Sequence, residues 1–170
     1  MKLSVREGAA TDFERVIEIK VRSWADTYGS LLEPQVLRPF LDRRKQLAYL
    51  RRATALPTTT LLVAQDPSGL VSGFALAYLE ADAEPWLESL HVDGEHRGLG
   101  IGTLLMRSLA ARLQARGYSS LRLGVIVGNV GAARLYERLG ATLTGVEPVS
   151  WAPGVSHEVY RWPDLAPLTT

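Results

Sequence analysis

The sequence predicts a single mixed α/β domain over residues 1–170. The length suits one domain with a sizeable buried core. Stretches of strand-like alternation are separated by stretches in which apolar residues recur at helical spacing. Turn signals divide these stretches, and no repeat, linker or low-complexity segment interrupts them. The predicted order of elements is β-α-α-β-β-β-α-β-α-β-β.

The N-terminal part of the chain is predicted to contain one strand and two helices. Residues 2–6 alternate as a short strand. Thr11 followed by Glu14 fits a capping box, which predicts that the first helix starts there with Thr11 as its N-cap. We expect a loop over residues 25–30, and then a single second helix that Pro34 starts.

The middle of the chain is predicted to form a hairpin, a strand and a long helix. Residues 58–79 are rich in strand-forming side chains and contain a turn signal at residues 66–69, which predicts the hairpin. Residues 86–92 are typical of another strand. Apolar residues then recur every four positions over residues 101–113, which predicts an amphipathic helix that Gly117 ends.

The C-terminal part is predicted to contain three strands and one helix. Residues 120–127 are the first of these strands. Asn129 suits the N-cap of a short helix that Gly140 closes. Residues 142–146 and 155–161 are the last two extended stretches.

Composition narrows the classes of function. The 19 basic and 18 acidic residues leave a net charge of +1, so no overall field favours nucleic acid or a membrane as a partner. The absence of cysteine excludes a thiol nucleophile, and no spacing of histidines and carboxylates predicts a metal site. The N-terminal residues lack the apolar stretch of a signal peptide, and no apolar run is long enough to cross a bilayer. We expect a cytoplasmic protein.

The stretch HVDGEHRGLGIGTLL at residues 91–105 carries the strongest functional signal. Gly98, Gly100 and Gly102 alternate at the start of a predicted helix, where backbone N–H groups and the helix dipole favour a phosphate group. A Walker A loop is excluded because no lysine follows these glycines. A dinucleotide fingerprint is disfavoured because it needs G-x-G-x-x-G spacing. The remaining alternative is that the glycines serve turn geometry alone.

Two sequence motifs resemble those of the GCN5-related N-acetyltransferases, and they occur in the family's order along the chain. The stretch EHRGLGIGTLLMRSLA closely resembles motif A of that family, and residues 88–92 look like its fourth strand. NVGAARLYERLG at residues 129–140 is similar to the family's N-x-x-A-x-x-x-Y-x-x-x-G segment. The chain departs from the pattern at Ala141, where many members have phenylalanine.

The resemblance implies a mostly antiparallel sheet with splayed central strands flanked by helices. It also implies an acetyl-CoA-dependent N-acetyltransferase that transfers the acetyl group directly, within a ternary complex, to a primary amine of a small molecule or a peptide N-terminus. We expect a monomer or a homodimer. A non-catalytic acyl-CoA sensor or partner module is the alternative, and a nucleotide-dependent oxidoreductase is a second one.

The resemblance also assigns a cofactor site. The backbone of the fourth strand would bind the pantetheine arm and the thioester carbonyl, and the amides of the glycine loop would bind the pyrophosphate of CoA. Asn129 would contact the cofactor in addition to capping its helix. The implied cofactor-binding residues are Leu90, His91, Val92, Arg97, Gly98, Leu99, Gly100, Ile101, Gly102, Thr103, Asn129, Ala132 and Tyr136. The side chain of His91 is otherwise interpreted as packed or at the surface.

Two side chains are candidates for acid–base catalysis. Tyr136 has a phenol with an ordinary pKa of about 10, so it is protonated at neutral pH and could protonate the CoA sulfur; spacing alone favours a core aromatic, and the resemblance favours the acid. Strand alternation places Glu88 on one face with Trp86, Leu90 and Val92. Such a carboxylate either faces a wet cleft or is paired, so Glu88 is a general base or half of an ion pair.

The acceptor site is the least specified. Trp24, Asp26 and Tyr28 are predicted in the loop between the first two helices, and Trp151 lies near the C-terminal strands. The resemblance places such regions around the acceptor, where aromatic rings and a carboxylate could bind a cationic amine. Core packing is an equally good interpretation of Trp24.

Overall fold

The computed structural model describes residues 2–80 and 83–170. In these residues the chain forms seven strands, six α-helices and two 3₁₀ turns. The strands are β1 Ser4–Glu7, β2 Thr59–Gln65, β3 Val71–Tyr78, β4 Trp86–Val92, β5 Leu121–Ile126, β6 Thr142–Pro148 and β7 Ser156–Trp162. The helices are α1 Phe13–Tyr28, α2 Pro34–Leu41, α3 Arg43–Thr54, α4 Ile101–Ala115, α5 Val130–Arg138 and α6 Ala166–Thr169.

The strands form one mixed sheet in the order β1-β2-β3-β4-β5-β7-β6. Every neighbouring pair is antiparallel except β4 and β5, which are parallel. The parallel pair meets only at Trp86 with Arg122 and at Leu87 with Leu123. Beyond these two pairs the strands diverge, which confirms the expected splayed centre of a mostly antiparallel sheet.

Helices cover both faces of this sheet. The helix α4 packs on one face through the four apolar residues that the sequence predicted, Ile101, Leu105, Leu109 and Leu113. On the other face α1 and α3 pack against alternate residues of β3, such as Phe74 and Leu76. A smaller apolar cluster joins the end of α1 to α2. Each buried aliphatic side chain contributes roughly 1.5–3 kcal/mol to folding.

The predicted start of the first helix is wrong. Thr11 lies in the 3₁₀ turn Ala10–Asp12, and α1 begins after Asp12. The Asp12 carboxylate accepts a hydrogen bond from the Ala9 amide at 2.8 Å and two from Arg6 of β1 at 2.7 and 2.9 Å. The contact joins the first strand to the start of the helix, and the sequence around Thr11 does not reveal it. Asp12 therefore takes the place at the helix start that was predicted for Thr11, and the capping box of Thr11 and Glu14 does not form.

The predicted loop at residues 25–30 and the single second helix are also wrong. No glycine or proline interrupts α1 before Gly29, so the helix continues to Tyr28. The segment after Pro34 forms two helices, α2 and α3, because the chain turns at Asp42, whose side chain accepts a hydrogen bond from the Lys45 amide and caps α3. The hairpin and the elements from β4 to β7 are confirmed within one or two residues at each end. The short α6 was not predicted.

Among the described residues, none of the helices combines the length and the apolar character that a bilayer crossing requires.

The pair Arg15–Asp93 attaches the loop after β4 to α1. Arg15 Nη2 lies 2.6 Å from Asp93 Oδ2, and Arg15 Nε donates to the Val71 carbonyl at 3.1 Å. The Asp93 amide donates to the Ser72 carbonyl at 2.9 Å. Burial alone would raise the pKa of the Asp93 carboxyl, but the hydrogen bond and charge of Arg15 outweigh burial and hold that pKa below its ordinary value. The glycine loop therefore starts from a fixed point.

We expect Asp93→Asn to lower the free energy of unfolding by about 2 kcal/mol, the usual contribution of a hydrogen bond to a charged group. That change corresponds to a fall in Tm of about 4–8 °C. Because the folded-state pKa of Asp93 is lowered, the wild-type advantage is full above the ordinary aspartate pKa of about 4 and is lost as the pH falls below it. Thermal unfolding at pH 7 and pH 3.5 measures both effects.

The exposed neighbour Glu95 offers a matched control, since Glu95→Gln removes a carboxylate from the same turn without removing a buried contact. Equal Tm values for the two variants at pH 7 would contradict the anchoring role of Asp93.

Candidate active site

The divergence of β4 and β5 opens a cavity of about 680 Å³. Its walls come from α1, β4, the loop before α4, the first turn of α4, β5 and α5, with single contributions from α2, β7 and the segment before β7. Within the described residues, the edge of β4 that faces β5 has no strand partner beyond Leu87. Backbone groups on this edge are therefore available to an extended ligand.

The glycine loop closes one end of the cavity, and its glycines have two different functions. Gly98 and Gly100 have φ angles of 78° and 79°, the left-handed region that side chains avoid. Gly100 is the N-cap of α4, and no side chain of the described chain caps it, so the first amides of α4 remain available to an anion. Gly102 has an ordinary φ angle and packs closely against α5, since a Cβ there would lie 3.3 Å from Leu135 Cδ2. Leu99 points outward and is 56% exposed.

A bulge in β4 sets the direction of Glu88. Leu87 and Ser89 pair with consecutive residues of β3, so Glu88 is an extra residue between them. The predicted alternation, which placed Glu88 on one face with Leu90 and Val92, is therefore wrong. Leu90 and Val92 pack toward α4, whereas Glu88 turns to the side of α1 and α3. Bulges of this kind commonly redirect a side chain next to a functional site.

Glu88 lines the cavity, where its side chain remains exposed although the surrounding walls partly desolvate the carboxylate. The surrounding walls raise the pKa of this carboxyl by excluding water, and the positive charge of Lys20 opposes that rise without cancelling it. Trp86 Nε1 donates a hydrogen bond to Glu88 Oε2 at 3.2 Å and orients it. A carboxylate with a raised pKa is a stronger base than an ordinary one, so Glu88 is suited to accept a proton.

His91 is the other potential base, and its environment argues against that role. Its Nδ1 atom hydrogen-bonds with Ser23 Oγ at 2.9 Å. Burial, followed by the positive charges of Lys20 and Arg97, lowers the pKa of His91 to about 3. The ring is therefore neutral and weakly basic at neutral pH. It lines the cavity as a packed histidine.

One face of α1, from Lys20 onward, forms a wall that we call the α1 stripe. Its members recur at helical spacing and are Lys20, Ser23, Trp24, Thr27 and Tyr28. Trp24 and Tyr28 thus lie in a helix, not in the predicted loop, and both line the cavity. Asp26 lies off this stripe, exposed and beside Gly94, and the described lining residues do not include it.

Three aromatic rings pack together on the lining of the cavity. Trp24 stacks on Phe40 of α2 with ring centroids 4.0 Å apart, and Trp151 meets Trp24 edge-on at 6.1 Å. We call these three residues the aromatic wall. Trp151 is 45% exposed, so it forms the rim of the cavity. The rings give a ligand side chain a flat surface on which to pack, and Trp24 Nε1 is buried there without a hydrogen-bond partner among the described residues.

Asn129 and Tyr136 line the α5 side of the cavity. Asn129 Oδ1 accepts a hydrogen bond from the Ala132 amide at 3.3 Å, which confirms the predicted N-cap, and Asn129 Nδ2 donates to the Tyr28 hydroxyl at 3.0 Å. Tyr136 is 6% exposed and packs edge-on against Trp162 at 5.9 Å. Burial raises the pKa of the Tyr136 phenol, so it stays protonated. Among the described residues its hydroxyl has no hydrogen-bond partner.

Sequence reasoning missed Lys20, Phe40 and His157, which also line the cavity. Helical spacing back from Trp24 would have pointed to Lys20. Nothing local indicates His157, which reaches the cavity because β7 pairs with β5 and because Gly124 leaves room for its ring. No cluster of three or more histidine, aspartate or glutamate side chains in residues 2–80 and 83–170 is arranged to hold a metal ion.

Comparison with known proteins adds independent findings. The model of the acetyltransferase (GNAT) family matches residues 16–141. The chain is 26% identical to the L-methionine sulfoximine/L-methionine sulfone acetyltransferase of Pseudomonas aeruginosa over 97% of this chain and 92% of that protein. It is 28% identical to the L-2,4-diaminobutyric acid acetyltransferase of Nocardia farcinica over 75% of this chain and 69% of that protein. The CoA complex of the PaiA N-acetyltransferase of Thermoplasma acidophilum has the same fold, with a TM-score of 0.78, 21% identity and coverage of 95% and 98%.

Proposed function

Because the chain belongs to the acetyltransferase (GNAT) family, it is an N-acetyltransferase that uses acetyl-CoA, and we propose that it transfers the acetyl group directly to a primary amine of a small molecule. One observation carries this proposal. A single cavity connects the open N-terminus of α4 to the carboxylate of Glu88. An anionic cofactor and a proton acceptor for the amine therefore share one space.

We assign the cofactor side of the cavity as follows. The free edge of β4 at residues 90–92 holds the pantetheine arm, and the amides from Arg97 to Thr103 hold the pyrophosphate, with the Thr103 hydroxyl as an added donor. Residues of this loop line the cavity, which supports the assignment. Asn129 and Ala132 form the α5 side. The oxygen and the nitrogen of the Asn129 side-chain amide both already hydrogen-bond to protein groups. The main role of Asn129 is therefore to position α5.

The chemistry follows from the side chains that face the cavity. Acetyl-CoA supplies a thioester whose carbonyl carbon forms the new bond to the amine nitrogen as the bond to sulfur breaks. Glu88 takes the proton that the amine loses, directly or through one water. Tyr136 supplies a proton to the departing sulfur. The sequence contains no cysteine, so no acyl-cysteine step is available.

A small-molecule acceptor is favoured over a peptide N-terminus. The relatives named above act on small amines, and the aromatic wall gives a small acceptor a surface on which to pack. The sensor alternative is disfavoured because Glu88 and Tyr136 both face the cavity. Family membership leaves the oxidoreductase alternative without support. The cytoplasmic location and the choice between monomer and homodimer stay predictions.

The function is tested by free-thiol release from acetyl-CoA across a panel of primary amines. Amine-dependent release, with mass spectrometry of the acetylated product, is the expected result. Stabilisation by CoA in a thermal-shift assay without release on any amine would instead favour the sensor.

We expect Glu88→Gln to lower kcat/KM by about 100-fold near neutral pH, since general-base catalysis commonly contributes 10²–10⁴-fold. The defect should shrink as the pH rises, because the amine then loses its proton without help. Wild-type activity should fall toward acid pH as Glu88 becomes protonated. A kcat/KM profile from pH 6 to 9.5 measures this, with Glu95→Gln as a control outside the cavity. Parallel profiles for wild type and Glu88→Gln would contradict the base role.

We expect Tyr136→Phe to lower kcat by about 100-fold with little change in acetyl-CoA affinity, because only the proton donor is removed and the ring still packs. Steady-state kinetics and CoA titration separate the two quantities. Tyr118→Phe is the matched control, because the Tyr118 hydroxyl bonds to the Leu79 carbonyl and Tyr118 is not part of the cavity lining. Unchanged turnover of Tyr136→Phe would exclude the acid role.

A further inference from the structure

Lys20 is a buried cation that no protein group neutralises directly. It is 7% exposed and lines the cavity from the α1 stripe. Within residues 2–80 and 83–170 its ammonium forms no hydrogen bond and no ion pair, and its contact is with the face of the Tyr49 ring, 5.2 Å from the centroid. Burying an ammonium without such a partner is costly, so its position favours an anionic ligand.

Desolvation does not remove this charge at neutral pH. Burial lowers the pKa of Lys20 to about 8, and the negative charge of Glu88 limits the fall. Near pH 7 the ammonium form therefore still dominates. Arg97 and Arg138 are the other lysine or arginine side chains on the described lining, and they lie at the glycine loop and on α5, the side assigned to the cofactor. Lys20 is thus the cation that faces the acceptor side.

Lys20 and Glu88 both line the cavity. The charge of each group shifts the pKa of the other. No direct ion pair joins them, although both belong to the described part of the chain. A molecule that carries an ammonium and a carboxylate complements this arrangement, with its ammonium toward Glu88 and its carboxylate toward Lys20.

The next turn of α1 indicates which kind of side chain the ligand has. Trp24 follows Lys20 by four residues, so the two side chains are neighbours on one helix face, with Cβ atoms roughly 5–6 Å apart. Trp24 belongs to the aromatic wall. A ligand whose carboxylate meets Lys20 thus directs its side chain onto stacked aromatic rings, which favours an apolar or aromatic group.

We propose that Lys20 binds the carboxylate of the acceptor, and that the acceptor is an α-amino acid with an apolar or aromatic side chain. The inference rests on the proposed function, because it places the reacting α-amine at Glu88. It adds a specificity residue that neither motif contains. Lys20 contributes to binding of the acceptor, whereas the glycine loop contributes to binding of CoA.

The test compares each amino acid with its amide, which lacks the carboxylate charge. Thiol release from acetyl-CoA is measured with L-phenylalanine and L-phenylalaninamide, and with L-methionine and L-methioninamide, at fixed pH. For wild type and for each variant, kcat/KM for the acid is divided by kcat/KM for the amide. The amines of the two acceptors differ in pKa, and this difference cancels when the ratios of two enzymes are compared. Lys20→Met should lower this ratio at least about tenfold, the usual effect of losing one charge-assisted hydrogen bond.

Two further variants control the result. Lys45→Met makes the same change at an exposed position of α3 and should leave the ratio as in wild type. Lys20→Arg keeps the charge and should restore most of the preference for the acid. CoA-induced stabilisation verifies that each variant is folded, and Lys20→Gln replaces Lys20→Met if the latter fails to fold.

Equal ratios for wild type and Lys20→Met would overturn the inference, as would wild-type turnover of 2-phenylethylamine that matches that of phenylalanine. If neither amino acid is acetylated but 2-phenylethylamine is, the inference fails and the proposed function stands. If CoA binds but no amine in the panel triggers thiol release, both fail.

Discussion

The short contact between β4 and β5 is the constraint on which the rest of the site depends. Two parallel strands that stayed paired would fill the centre of the sheet and satisfy each other's backbone groups. Here pairing stops after Leu87 and Leu123, and the strands diverge. The divergence leaves an unpaired edge of β4 beside the N-terminus of α4, and it admits side chains from α1 and α5 to the same space. In the proposed function, cofactor binding, acid–base chemistry and acceptor binding all use the gap that this one interruption creates.

Local structural features determine which charged and aromatic side chains line this gap. The bulge at Glu88 turns a carboxylate toward α1, and the uninterrupted run of α1 to Tyr28 places Trp24 and Tyr28 on the same wall as Lys20. Regular alternation or an early helix end would have placed these side chains elsewhere. The Arg15–Asp93 pair then holds the loop that follows β4 against α1, so the cofactor end and the acceptor end keep a fixed relation.

The sequence predicts the parts of this site that depend on local rules, and fails where distant contacts decide. The four-residue spacing of α4 and the Asn129 cap are properties of neighbouring residues, so both could be predicted. The bulge depends on how β3 and β4 align, which alternation within one strand does not contain. The helix start depends on Arg6 holding Asp12. His157 enters the cavity through the pairing of β7 with β5, two elements that are far apart in sequence.

The electrostatics of Lys20 and Glu88 connect acceptor binding to proton transfer. Desolvation alone would push the Glu88 pKa further upward. The charge of Lys20 counteracts this rise, and the charge of Glu88 keeps Lys20 protonated in return. An acceptor carboxylate on Lys20 would reduce that compensation and make Glu88 more basic when the amine is in place. Because the acceptor carboxylate offsets the charge of Lys20 only in the complex, Glu88 would hold a proton more tightly there than in the free enzyme once the amine has lost its own charge.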